Sequence, residues 1–248
     1  MSASFSNNSS YILTVLIPVF NEGQTIYRIL SELASVQLEG AGHLEIIVID
    51  DGSTDHTVKE LNRYTQEHGT SQIRLLRHTI NQGKGSAIRT GIKNATGDYI
   101  IIQDADLEYD PHEYNNLLQP MLAGRADVVY GSRFMGSHPH RVLFFVHSLG
   151  NKFLTFVSNL FTNINLTDME TCYKLFKSDL LKKIDLKENR FGFEPEVTAK
   201  VSKIKGVRIY EVGISYYGRT YEEGKKIGWR DGFRALWCIL KYNLIIRN

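Results

Sequence analysis

Four short apolar runs, each followed by a polar cluster and then a helical pattern, constrain this chain more than any other feature. The runs are Leu13-Thr14-Val15-Leu16-Ile17-Pro18-Val19, Glu45-Ile46-Ile47-Val48-Ile49, Ile73-Arg74-Leu75-Leu76 and Asp98-Tyr99-Ile100-Ile101-Ile102. Between them lie amphipathic stretches: Ile26, Ile29, Leu30 and Leu33 on one face, then Val58 and Leu61, then Gly83 to Ala95. Strands apolar on both faces, separated by amphipathic helices, predict a parallel sheet covered on both sides. The fold class is therefore α/β, a single Rossmann-like, mostly parallel sheet. Right-handed crossovers put every loop after a strand along one edge, where open sheets of this kind bind ligands. The polar clusters Asn21-Glu22, Asp50-Asp51, Asn81-Gln82 and Asp104 to Glu108 all fall on that edge.

The second half continues with a helix after Pro111 through Leu117, Leu118 and Met121, and a strand Val128 to Gly131 ending in Ser132-Arg133. A helix over Phe144 to Phe161 follows, then a polar turn Asp168 to Thr171 before Cys172 to Phe176. Phe193, Val197, Val201 and Ile204 have helical spacing, and Val207 to Tyr217 reads as a strand pair or one bent strand. We divide the chain into a disordered polar tail (1–10), one globular domain (11–228) and an amphipathic C-terminal helix (229–248).

Composition excludes several classes. A net charge of +2 argues against a dedicated nucleic-acid binder. Two cysteines build neither a disulfide framework nor a Cys-based zinc site. The Ser/Asn-rich start lacks the basic and apolar regions of a signal peptide. No apolar run reaches the roughly 18 residues of a transmembrane helix.

Asp104-Ala105-Asp106-Leu107-Glu108 sets three carboxylates at alternate positions just past a strand, where burial demands compensation. Mg²⁺ or Mn²⁺ on a nucleotide diphosphate supplies it, using one or two protein carboxylates; a solvated acidic turn is the bland equivalent. Asp50 is placed to accept hydrogen bonds from a base or ribose, while Ser53 or Thr54 caps the next helix. Gly83-Lys84-Gly85-Ser86 is not a P-loop, because His78 stands where its first glycine belongs. Lys84 still fits a diphosphate at a helix N-terminus. No Gly-x-Gly-x-x-Gly follows the first strand.

Taken in register, Ile17-Pro18-Val19-Phe20-Asn21-Glu22, Val48 to Asp55, Asn81-Gln82-Gly83-Lys84-Gly85, Asp104-Ala105-Asp106 and Gly131-Ser132-Arg133 resemble the family 2 glycosyltransferases of GT-A fold. The stretches Thr167 to Phe176 and Phe191 to Arg219 look more narrowly like the dolichyl/polyprenyl-phosphate hexose synthase branch. The resemblance implies an inverting enzyme that moves a hexose from a UDP- or GDP-sugar to polyprenyl phosphate; a saccharide or other hydroxyl acceptor is the alternative. It implies that Pro18, Phe20 and Glu22 line the base and ribose pocket with Asp51 on the base. Asp104 would sit near the ribose, Asp106 and Glu108 on the Mg²⁺ or Mn²⁺, and Arg133 and Arg219 on phosphates. Arg141, Asn151 and Lys152 are the nearest candidates for a further acceptor-phosphate contact. A hydroxyl acceptor would need a base, for which Asp168 is the candidate, with Glu194 and Glu196 as alternatives. A sugar-1-phosphate nucleotidyltransferase would open with a Gly-rich, Arg-containing loop that Pro18 to Glu22 lacks. A non-catalytic nucleotide-sugar binder would have no need of the intact carboxylate set.

The C-terminal end is locally basic, with nine Lys/Arg against four Asp/Glu over residues 205–248. The Gly218 to Gly228 loop could close over a donor or grip an acceptor phosphate. Beyond it, Trp229, Phe233, Trp237 and Leu240 recur at helical spacing, flanked by Arg230, Arg234 and Lys241. That pattern fits a helix docked on the domain or lying in a membrane interface. The implied location is cytoplasmic, free or peripheral on the cytoplasmic face of a membrane.

Overall fold

A computed structural model describes residues 10–69, 73–136, 141–142, 144–220, 222 and 228–246. The expected tail, apart from Ser10, lies outside the described residues. So do 221 and 223–227 of the basic loop and the Trp229 side chain.

The first half follows the alternation of the sequence. Strand β1 (Tyr11–Val19) is followed by α1 (Ile26–Ser35), β2 (Gly42–Asp50), α2 (Thr57–His68), β3 (Ile73–Arg77), α3 (Lys84–Asn94) and β4 (Tyr99–Ile102). Helix α1 buries Ile26, Ile29, Leu30 and Leu33, the stripe seen in the sequence. Strand β1 lies between β2 and β4, parallel to both, and its Leu13 to Ile17 stretch, Thr14 included, is fully buried. That double-sided burial is why the strand reads as an unbroken apolar run rather than an alternating one.

After β4 come α4 (Tyr114–Leu122), β5 (Val128–Ser132), α5 (Phe145–Thr162), β6 (Lys174–Lys177), a short α6 (Ser178–Leu181), α7 (Phe193–Ser202), β7 (Ile209–Gly213) and α8 (Trp229–Leu240). One seven-stranded sheet results, ordered β3-β2-β1-β4-β6-β5-β7. Only β6 runs antiparallel to its neighbours, β4 and β5.

Two elements differ from the sequence reading. Val207 to Tyr217 is neither a strand pair nor one bent strand. After β7 the chain leaves the sheet: Ser215 N–H donates to Glu113 and Tyr217 N–H to Glu108 O at 2.9 Å. The segment thereby binds the loop that follows β4. Helix α8 also stops short of the expected 229–248, giving way to a wider π turn over Lys241–Ile245. It packs on α5 and α7, with Cys238 and Tyr242 buried against Ala199. Among the described residues no helix is long and apolar enough to cross a membrane.

Candidate active site

The loops at the C-terminal ends of β1, β2 and β4 converge as parallel pairing requires. Asn21, just past β1, has a left-handed backbone (φ 54°), which asparagine tolerates better than most residues. Its Oδ1 accepts from Thr54 N–H at 2.8 Å and its own N–H donates to Ser53 Oγ at 3.0 Å. The loops after β1 and β2 are thus one unit. Past β4, Gln103 Oε1 accepts from the Tyr114 and Tyr173 hydroxyls at 2.7 and 2.6 Å. Leu107 then takes φ 63°, a strained conformation for a bulky side chain, and this turns Asp106 and Glu108 inward.

These loops border a cavity of about 1110 Å³. Pro18, Phe20, Glu22, Asp51, Lys84, Asp104, Asp106, Glu108, Arg133 and Arg219 all line it, although they come from six separate stretches of sequence. Asp168 does not line it. Its carboxylate is fully buried and takes Arg133 Nε at 2.6 Å and Nη2 at 2.8 Å. Glu194 lines the cavity from the first turn of α7 and pairs with Lys84 at 3.2 Å. Glu196 is buried away from it, accepting from Lys187 and Glu188 N–H at 2.7 Å each. Asp50 sits under the sheet edge, bound by Ser53 N–H at 3.0 Å and paired with Arg77 at 3.1 Å. Of Arg141, Asn151 and Lys152, Asn151 lines the cavity.

Most of these charged wall residues are paired with one another or with a neighbouring turn. Asp51 accepts from Gln82 and Gly83 N–H at 3.0 and 2.6 Å, and His78 Nδ1 lies 2.7 Å away, so its carboxylate organises the turn into α3. Lys84 Nζ is 2.8 Å from Asp104 Oδ1. Burial is the largest influence on Asp104 and opposes its ionisation, but the Lys84 charge and hydrogen bond, with help from Cys172 and Lys174, together hold the carboxyl below its usual range. Glu108 Oε1 accepts from Arg219 N–H at 2.7 Å and Oε2 from the Tyr216 hydroxyl at 2.7 Å. Arg219 Nη2 reaches Asp106 Oδ2 at 3.2 Å and Nη1 lies 3.5 Å from Glu22 Oε2. The Arg133 guanidinium lies 5.1 Å from the Tyr216 ring centre, inside cation–π range.

Asp106 stands apart. Burial, then the neighbouring charges of Asp104 and Glu108, push its carboxyl up to about 8, and Arg219 offsets only part of that. A buried carboxyl short of positive charge, beside an open cavity, fits a hard divalent cation. Among the described residues no group of three or more His, Cys, Asp or Glu is arranged to enclose a metal by itself. A cation here would need ligands from a bound molecule, as Mg²⁺ on a diphosphate has.

Sequence reasoning passed over Glu170, Tyr109, Tyr216, Arg190 and Phe191, all of which line the cavity. Burial, then the Glu194 charge, push the Glu170 carboxyl up to about 8, and its Oε1 has no hydrogen-bond partner among the described residues. Its position in the polar Asp168 to Thr171 turn was the available signal. The opposite wall is apolar: Val146, Phe153 and Leu154 of α5 face Phe233, Ala235 and Leu236 of α8.

Known proteins resemble this chain in sequence and in fold. The chain is 25% identical over 235 residues to the dodecaprenyl-phosphate galacturonate synthase of Rhizobium johnstonii, covering 95% of this chain and 67% of that protein. It is 29% identical over 240 residues to the dolichyl-phosphate beta-glucosyltransferase of Drosophila melanogaster, covering 90% and 72%. A crystal structure of glucosyl-3-phosphoglycerate synthase from Mycobacterium tuberculosis, in complex with Mn²⁺, UDP and glucosyl-3-phosphoglycerate, superposes with a TM-score of 0.73 at 17% identity. That match covers 96% of this chain and 82% of the other, and it establishes the shared fold. Residues 14–185 match the Glycosyl transferase family 2 model, and the chain belongs to that family.

Proposed function

We propose that this protein is an inverting, metal-dependent hexosyltransferase that moves a sugar from a UDP- or GDP-sugar to polyprenyl phosphate. The observation that carries the reading is the two-sided cavity. One end gathers Asp106, Arg133 and Arg219, and the other is the apolar wall of α5 and α8. A lipid phosphate has the same two-sided chemistry, whereas a free sugar acceptor has no use for an apolar wall. The relatives named for dodecaprenyl-phosphate and dolichyl-phosphate sugar transfer support the same choice. The fold neighbour crystallised with UDP and Mn²⁺ supports a nucleotide donor and a divalent cation.

In this reading Pro18, Phe20 and Glu22 line the nucleoside end, and Asp51 holds the turn from Asn81 to Gly83 against it. Asp106 would hold Mg²⁺ or Mn²⁺, with Glu108 bracing Arg219 and Tyr216 beside it. Bound there, the cation would neutralise charge growing on the leaving diphosphate. Arg219 adds positive charge at the same place, which lowers the barrier electrostatically. The acceptor phosphate oxygen attacks the anomeric carbon from the opposite face. The new C–O bond forms as the bond to the diphosphate breaks, and the electron pair leaves with the nucleotide. The acceptor is already an anion, so no base is needed. Asp168 accordingly acts by positioning Arg133 toward the acceptor phosphate.

The exposed faces of α5 and α8 extend the argument. Phe145, Phe156 and Leu160 are 78%, 65% and 69% exposed, and Phe233 is 68% exposed. So large an apolar surface beside the cavity mouth suits peripheral seating on a bilayer, where the lipid acceptor resides. The deciding experiment is nucleotide release with Mg²⁺ or Mn²⁺ over a panel of UDP- and GDP-sugars, with and without polyprenyl phosphate. Release that requires the lipid is expected. Release of equal rate on a soluble saccharide would overturn the acceptor assignment.

A further inference from the structure

The two walls of the cavity are joined by one residue that does not line it. Glu188 precedes α7, and its side chain is 3% exposed. Oε2 accepts from Arg234 Nη2 at 2.5 Å, and Oε1 accepts from Lys241 Nζ at 2.9 Å and the Tyr242 hydroxyl at 2.8 Å. All three donors belong to α8 or the turn that ends it. The main chain of the same residue faces the other way. Glu188 O accepts from Arg89 of α3 and occupies the place a Cβ on Gly85 would take. Next along the chain, Asn189 O accepts from Ser86 N–H at 3.1 Å, and Asn189 Oδ1 accepts from Arg89 Nη2 at 2.5 Å. Gly83, with φ +99°, is likewise pressed against Asn189 O. Between the two glycines stands Lys84, the partner of Asp104.

We propose that Glu188 is a positioning residue that couples the acceptor wall on α8 to the donor-side turn Gly83-Lys84-Gly85. The physical reason is the pairing of directions. The Glu188 carboxylate is buried while Arg234 and Lys241 reach solvent, so loss of these cations strands a buried charge, and their pairing with it holds α8 in one place. Its rigid main chain then passes that placement to α3, where no side chain at 83 or 85 cushions the contact. The arrangement predicts reciprocal linkage: a ligand at the donor turn tightens α8, and loosening α8 weakens the donor turn. The proposal rests on the donor-site reading for its functional consequence, but the mechanical link itself does not.

The test uses Arg234→Gln with Lys241→Gln, two changes on α8 and its terminal turn that touch neither the donor turn nor the cavity, alongside Glu188→Gln. Hydrogen exchange needs no ligand. Both variants are expected to speed exchange of the Ser86 and Ala87 amides about tenfold, together with those of residues 234–246. Faster exchange confined to 234–246 would overturn the coupling. In a second arm, UDP or GDP with Mn²⁺ is titrated. Affinity of whichever nucleotide the wild type binds is expected to fall about tenfold in the double variant, and unchanged affinity would also overturn it. If the wild type binds neither nucleotide, the donor reading fails while the exchange arm still decides the coupling. Should Glu188→Gln fail to fold, the double variant carries the test alone.

Discussion

Arg133 and Asp168 form a closed fork: Nε–Oδ2 at 2.6 Å, Nη2–Oδ1 at 2.8 Å, and the Arg133 backbone N–H on Oδ2 at 3.1 Å. They lie at the end of β5 and in the turn before β6, 35 residues apart in sequence. The fork fixes the direction of the guanidinium and consumes both carboxylate oxygens. A residue so engaged orients a cation rather than accepting a substrate proton. Asp168→Ala should therefore cost about 3 kcal/mol or more in stability, because it strands a buried charge. Asp168→Asn should lower kcat/KM for the phosphate acceptor without removing a limb from its pH profile. Thermal unfolding and pH–rate curves check both; loss of the acid limb in Asp168→Asn would return it to the role of base.

Asp106→Asn should abolish metal-dependent nucleotide release while the fold persists. With its carboxyl pushed up to about 8 by burial and by Asp104 and Glu108, the metal-free protein carries an unfavourable group there near neutral pH. The variant is expected to melt no lower than the metal-free wild type and to lose the stabilisation that Mn²⁺ gives the wild type. Circular dichroism melts with and without Mn²⁺ measure this, and wild-type release by the variant would remove the metal assignment.

Gly85→Ala should destabilise the protein by about 1–3 kcal/mol, since a Cβ would meet Glu188 O and the main chain has to move. Gly150, on the cavity-facing side of α5 with nothing within 4 Å of its Cβ position, is the stability control. Gly150→Ala should stabilise slightly, as alanine favours helix. Denaturant unfolding of both variants makes the comparison.

Glu170→Gln gives a pH signature of defined sign. The folded carboxyl titrates at about 8, against 4.5 for the ordinary group, so the folded protein binds more protons than the unfolded chain between these values. Wild-type stability is therefore lost as pH rises through that window, and the variant escapes the loss. The difference in melting temperature, variant minus wild type, should grow from pH 5 to pH 8 by roughly the effect of a few kcal/mol at most. A difference independent of pH would show that Glu170 is ionised throughout.

Phe145, Phe156 and Leu160 project from α5 with more than half of their surface exposed. Replacing all three by Ser should weaken flotation with anionic vesicles by more than about tenfold, because each apolar side chain contributes ~1.5 kcal/mol or more when buried. Failure of the wild type to float would remove peripheral seating. A concentration-dependent dimer lost in the triple variant would instead assign the face to a second copy of the chain.

Much of the architecture was legible because it depends on local pattern. The α1 stripe, the buried strands and the loops at one sheet edge follow from side-chain periodicity and right-handed connection, which neighbouring residues encode. Ten of the residues singled out in the sequence line one cavity for the same reason, since parallel strands deliver their following loops to one edge. The α5 face was missed in function though found as a helix. Its apolar residues run around most of the helix, and periodicity cannot say which of them the fold covers.

Sequence alone determined the buried strands, the family motifs and the acidic loop, each of which is a short contiguous stretch of the chain. Tertiary structure alone decided the partners. It set Asp168 on Arg133 rather than in the cavity, and Glu108 on Arg219 and Tyr216. It also set Glu188 between α8 and the Gly83-Lys84-Gly85 turn. A carboxylate's spacing records what chemistry it can do, but its role depends on which cation the packed chain brings within about 3 Å, and that pairing is absent from any one-dimensional pattern.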